Sequence, residues 1–326
     1  MNYRVLIPAL ILALPLAACH RGDKPPGAVR LALVADVGGI GDKGRNDMLW
    51  RACQRLAEED PRVAAIDCRE PGNLAEGQHL LRDVCARGAD AVVVASPAWE
   101  PDVMKLAARY PRTKFIVVGG AAFRKNVVAI DFPVRDAGYL MGVAAAAAVP
   151  AGGYGFLGGR EDAETRALAA GYAEGVRSEI PGAPVAVRYM GKDFAAPLDA
   201  ALAREIAAEL YREGAAVIFA AAGPANADIA AVAHDCDKLV IGYESNQNSL
   251  ERGFVVTSLN IRWDDLVYEE LVSVVEGRFR GRVRKINIAS EFIAYPIDVN
   301  NRALLPADAI MKIEAARQRL AAAGAA

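Results

Sequence analysis

The chain has 326 residues, with 38 Lys or Arg against 40 Asp or Glu, a formal net charge of −2 and 53% apolar residues. A balance this even excludes the electrostatic footprint of a nucleic-acid binder, and three scattered histidines, His20, His79 and His234, form no metal or triad constellation. The length exceeds one ordinary domain, so two compact lobes are expected.

In chain order, Arg4 precedes a continuous apolar segment, 5–16, too short to span a bilayer comfortably and followed by Leu16-Ala17-Ala18-Cys19. The pattern is that of an export signal over 1–18, and a Cys just after small residues resembles the bacterial lipobox cysteine, which is lipidated and becomes the mature N-terminus. Residues 19–27, with charges, glycine and two prolines, read as a lipidated tether. Only Arg4 leaves with the signal, so 37 basic residues then stand against 40 acidic ones. Of the remaining cysteines, Cys53, Cys68, Cys85 and Cys236, none forms a C-x-x-C element, which argues against zinc or a thioredoxin-type site. Either Cys53 and Cys68 form an oxidised pair or the thiols stay free and buried.

Residues 29–34 form a short apolar run with β-branched members, a buried strand. The next ten residues, 36–45, hold four glycines, so the loop can bend sharply and turn its backbone N–H groups toward a ligand. Asn46 is placed to cap a helix carrying Leu49, Cys53 and Leu56 at helical spacing. Two readings meet here. Gly39, Gly41 and Gly44 match G-x-G-x-x-G, with Asp67 at the spacing of a ribose-binding acid, as in a nucleotide-cofactor oxidoreductase. The same stretch, Asp36-Val37-Gly38-Gly39-Ile40-Gly41-Asp42-Lys43-Gly44-Arg45-Asn46-Asp47, resembles the D-x-G-G-x-x-D-x-S-F-N-Q loop of the basic membrane protein family, the purine nucleoside receptor A-like binding lipoproteins of ABC importers.

Beyond this loop, apolar runs at 63–66, 91–95, 115–118 and 127–130 alternate with helical stretches at 76–87 and 101–110. The alternation restarts with strands at 154–157, 185–189, 217–220 and 239–241 and helices at 162–178, 197–212 and 225–236. Strands separated by helices of this length make a parallel sheet covered on both faces, and two such sheets imply two α/β lobes with a cleft between them. Residues 306–323 form an amphipathic helix with Ile310, Ile313, Ala316 and Leu320 on one face, a packing element.

The resemblance extends along the chain. Phe132 followed by Asp136-Ala137-Gly138-Tyr139-Leu140-Met141-Gly142 is similar to the family's phenylalanine and E-x-G-x-L-A-G, Gly155-Phe156-Leu157-Gly158-Gly159 to its G-F-V-G-G, and Ala170-Gly171-Tyr172-Ala173-Glu174-Gly175 to its A-G-F-x-x-G. Ile241-Gly242-Tyr243-Glu244-Ser245-Asn246-Gln247 stands where the family has I-G-V-D-S-D-Q. The resemblance implies a type I periplasmic binding protein fold, two doubly wound parallel-sheet lobes joined by a three-stranded hinge. The implied lobes are 28–131 plus 262–284 and 132–261 plus 285–300, followed by a C-terminal helix over 301–326.

It further implies a non-enzymatic, membrane-anchored substrate-binding lipoprotein. Its lipid is on Cys19 at the cell envelope, its partner is an ABC permease, and no cofactor or metal is required. A small polar ligand, a nucleoside by resemblance, is taken up by hinge closure; a sensor subunit is the other binding role. Asp36 and Asn46 hold loop positions that face the cleft in the family, and Glu244 replaces its sugar-binding aspartate. Phe194 resembles its base-stacking aromatic, although a phenylalanine before a helix also serves as a hydrophobic staple. Asp36 has a second role open to it, capping its own glycine loop. Trp99 follows a strand that ends at the cleft, and Gly223 allows close backbone approach to a ligand. The family's Ser-Phe pair is Gly44-Arg45 here, so Arg45 replaces a stacking ring, and Ile261 replaces a lysine.

Overall fold

The computed structural model describes residues 27–324; the expected export signal, Cys19 and the expected tether up to residue 26 lie outside the described residues. The first lobe begins with β1 (Val29–Val34), α1 (Arg45–Glu59), β2 (Val63–Arg69), α2 (Leu74–Ala86), β3 (Ala91–Val94), α3 (Glu100–Arg109), β4 (Lys114–Val118) and β5 (Val127–Asp131). The second holds α4 (Val134–Ala148), β6 (Gly153–Arg160), α5 (Ala163–Glu179), β7 (Val185–Gly191), α6 (Ala200–Arg212), β8 (Ala215–Ala221), α7 (Asn226–Asp235), β9 (Leu239–Glu244) and β10 (Val255–Ile261). The chain then returns through α8 (Trp263–Val275) and β11 (Arg282–Lys285) before β12 (Ile293–Ala294) and α9 (Ala307–Ala323).

The first sheet has the order β11-β5-β4-β3-β1-β2 and the second β12-β10-β9-β8-β6-β7. All pairings in the first sheet are parallel, and in the second only β12 runs antiparallel, against β10. Central strands are apolar without alternation because helices cover both faces: Val92, Val93 and Val94 are each fully buried. The chain passes between the sheets after β5, β10 and β11. Phe132 and Trp263, in the first two passages, pack with ring centroids 5.5 Å apart.

Two local expectations are corrected. Asn46 does not cap α1, which already begins at Arg45; the caps are the Asp42 oxygens, which accept from the N–H groups of Asn46 at 3.0 Å and Asp47 at 3.2 Å. Asp42 precedes the helix at the right distance to reach its free donors, whereas Asn46 lies inside the first turn. The expected helix over 197–212 is broken: a 3-10 turn, Ala196–Leu198, ends at Asp199, whose carboxylate accepts from Leu202 N–H at 2.9 Å and starts α6. All four cysteines of the described residues are free thiols.

Candidate functional site

In a parallel sheet the carboxyl ends of the strands form one edge, and here the two such edges face each other. Between them lies a cleft of about 90 Å³, lined from β1 by Asp36, from the start of α1 by Arg45 and Asn46, from β6 by Arg160, from α5 by Glu164, and from β8 and β9 by Gly223, Tyr243 and Glu244. Its lining counts five carboxylates, Asp36, Asp42, Asp162, Glu164 and Glu244, against two guanidinium groups. The excess of acceptors suits a neutral or cationic donor of hydrogen bonds better than an anion.

Arg45 dominates the interior. It projects from the first lobe and is 7% exposed. Its Nη2 donates to Glu164 Oε1 at 2.6 Å and its Nε lies 2.7 Å from Glu244 Oε1, both across the cleft. The second contact is an ion pair without hydrogen-bond geometry. The Trp263 ring centroid is 5.4 Å from the guanidinium carbon. Burial works against the Arg45 charge, but Glu164 and Glu244 outweigh it and hold its proton more firmly than usual. Burial also pushes the Glu244 carboxyl up to about 7 against the pull of Arg45. Glu244 sits at φ +70°, a left-handed backbone that a non-glycine residue adopts at a cost and that turns its side chain toward Arg45.

The other expected site residues divide. Asp36 lies at the cleft, where its Oδ1 accepts from Val37 N–H at 2.8 Å and faces Arg160 Nη1 at 3.7 Å. Asn46 lines the cleft but spends its amide on the loop: Oδ1 accepts from Asp36 N–H, and Nδ2 donates to the carbonyls of Asp36 and Val37. Gly223 adopts φ +58° at the end of β8, with open space where a side chain would project. Trp99 and Phe194 come together outside the cleft lining, ring centroids 5.8 Å apart, with Trp99 Nε1 donating to Leu74 O at 3.0 Å. Phe194 belongs to the second lobe yet is buried in the apolar cluster of the first.

Sequence reasoning passed over Arg160, Asp162, Glu164 and Tyr243. The signal was available in Arg160-Glu161-Asp162, a charged run directly after G-F-L-G-G, where a strand gives way to a helix at the ligand edge.

The family model described as ABC transporter substrate-binding protein PnrA-like matches residues 29–303. The chain belongs to this PnrA-like family. Among curated relatives it is 28% identical over 205 residues to the CD4+ T-cell-stimulating antigen of Listeria innocua, an alignment covering 62% of this chain and 56% of that protein. The chain thus spans little more than half the length of that relative. It is 27% identical over 270 residues to the ABC transporter nucleoside-binding protein BmpA of Lactococcus lactis, covering 74% and 73% of the two chains. To a lipoprotein of Pyrococcus abyssi it is 25% identical over 309 residues, covering 89% and 75%. The fold is that of a solute-binding protein from Aeropyrum pernix K1, with a TM-score of 0.79 at 20% identity over 91% of this chain and 92% of that one.

Membership is consistent with how the glycine loop spends its donors. The N–H groups of Gly41 and Lys43 go to Asp47, those of Gly44 and Asn46 to Asp42, that of Ile40 to Glu70, and that of Arg45 to Glu244. A pyrophosphate needs those amides free and would meet carboxylates instead. Asp67, the expected ribose acid, is 2.7 Å from Arg69 Nη2. The dinucleotide reading of this loop is therefore withdrawn.

Proposed function

We propose that this member of the PnrA-like family is the solute-binding lipoprotein of an ABC importer, anchored at the cell envelope through Cys19 and delivering a nucleoside to a membrane permease. It is a binding protein without enzymatic activity. The observation that carries the ligand reading is the cleft between the two strand edges, with carboxylates contributed by both lobes. Ribose hydroxyls are donors that Asp36, Glu164 and Glu244 can accept, whereas the phosphate of a nucleotide would meet the same carboxylates with like charge. The nucleoside named for the Lactococcus lactis relative agrees with this chemistry.

The cleft, about 90 Å³, is narrower than the roughly 300–1,000 Å³ of ordinary ligand sites. Uptake therefore proceeds from an opened form, with Arg45 giving up part of its hold on Glu164 and Glu244 as the solute takes its place. Closure follows because solute contacts on both lobes exist only in the closed form.

Two measurements test the reading. Nucleosides should raise the melting temperature, since a ligand confined to the folded state stabilises it, while the matching nucleotides and NAD(H) should not. Stabilisation by NAD(H) and by no nucleoside would overturn the ligand assignment. Cys19→Ser should abolish lipid labelling and membrane retention, and unchanged labelling would remove the anchor.

A further inference from the structure

The strands of the first sheet run parallel, so their starting ends share one edge, opposite the cleft. Three segments meet there at the starts of β4, β5 and β11: 109–114 (RYPRTK), 124–125 (RK) and 278–282 (RFRGR). Together they hold eight Lys or Arg and no Asp or Glu, in a chain whose formal net charge is −2. The turns 60–62 and 87–90 on the same edge are balanced, one basic residue against one acidic residue in each.

The segments are knitted into one surface. Gly281 N–H donates to Lys125 O at 3.2 Å, Asn126 Nδ2 donates to Thr113 O at 2.9 Å, and Lys114 Nζ lies 6.0 Å from the Phe279 ring centroid. Arg278 and Arg282 are neutralised by Glu276 and Glu270. Arg112, Arg124, Lys125 and Arg280 are exposed and have no carboxylate partner among the described residues. Beside them Phe123 is 57% exposed.

The matching edge of the second sheet lacks this character: its helix-to-strand turns, 149–152, 180–184, 213–214 and 236–238, hold Lys238 against Glu213 and Asp237. The basic edge is also where the chain enters the fold. Gly27 and Ala28 lead directly into β1, whose Val29 N–H donates to Arg62 O at 2.7 Å. Cys19 lies ten residues before Val29, a span of at most about 35 Å.

We propose that this basic edge of the first lobe is a docking face for an anionic lipid surface, its unpaired Lys and Arg side chains on the headgroups and Phe123 at the interface. The proposal rests on the Cys19 anchor reading for its orientation, since a lipid at residue 19 would hold this edge, and not the other, within reach of the bilayer. A polybasic patch held beside a lipid anchor is drawn to anionic headgroups by an attraction that falls off within a Debye length.

The test uses the chain from His20 onward, which keeps every described residue and carries no lipid. It is sedimented with vesicles of phosphatidylcholine alone or mixed with phosphatidylglycerol. Capture is expected with phosphatidylglycerol only, and it should fall steeply with added salt. The combined variant Arg112→Gln, Arg124→Gln and Arg280→Gln, which touches no ion pair, should weaken capture by about tenfold or more, while Lys238→Gln with Arg252→Gln on the second lobe leaves it unchanged. Melting curves establish that both variants are folded. Capture indifferent to phosphatidylglycerol, equal loss in both variants, or binding to an acidic protein with none to vesicles would overturn the proposal. Lipid labelling of the full chain is scored separately. An unlabelled Cys19 together with phosphatidylglycerol capture would remove the anchor and keep the docking face.

Discussion

Glu244 holds its carboxyl at about 7, against an ordinary 4.5, because burial outweighs the attraction of Arg45. Between those values the folded chain keeps a proton that the unfolded chain has lost, so the stability this group contributes is complete below about 4.5 and is lost as pH rises through about 7. Urea unfolding at about pH 5 and about pH 8 should show the wild type losing about 1–3 kcal/mol relative to Glu244→Gln. An unchanged difference would mean that Glu244 is fully ionised in its pair with Arg45 at both values. The sequence exposed both members of that pair as departures from the family pattern but gave no reason to join them. Positions 45 and 244 meet only through the facing of two sheets, and Glu164, the third member, follows a helix start that looks like any acidic first turn.

At the scale of elements, α4 and α5 approach so closely that their glycines are mandatory. A methyl at Gly142 would lie 2.1 Å from Tyr172 O and one at Gly175 2.0 Å from Tyr139 O, and both obstacles are backbone that cannot swing aside. Gly142→Ala is therefore expected to lower stability by about 1–3 kcal/mol, measured as a shift in the urea midpoint. An unchanged midpoint would show that the helices can part without cost. These residues were visible as the motifs G-x-x-x-G at 138–142 and 171–175, but their meaning as one interlocked seam needs both helices at once. Most regular strands were legible because buried parallel strands are written as apolar runs; β10, VVTSLNI, was missed because Thr257, Ser258 and Asn260 interrupt its run. The four-residue β11, RVRK, and the two-residue β12 were not legible either, since neither has the length or the apolar content to announce itself.

For the whole molecule, the contacts across the cleft include Arg45 with Glu164 and Glu244, Asp36 with Arg160, Ser245 Oγ donating to Lys43 O at 2.6 Å, and Phe194 on Trp99. Because the first is the most deeply buried charge contact, Arg45→Ala should shift the ligand-free chain toward an open form, read as a larger radius of gyration in small-angle scattering. It should also leave Glu164 and Glu244 without their cation, costing about 3–5 kcal/mol of stability. A radius equal to that of the wild type would show that the remaining contacts keep the lobes together without Arg45.

The packing of Trp99 has a practical consequence. Of the three tryptophans, Trp99 is covered by a ring from the opposite lobe and Trp263 lies beneath the cation that spans the cleft, while Trp50 sits on α1. Separating the lobes uncovers the Trp99 indole, whereas Trp263 keeps Arg45 of its own lobe and Phe132 beside it. The protein thus carries its own optical gauge, in which emission colour follows the angle between the lobes without any attached dye.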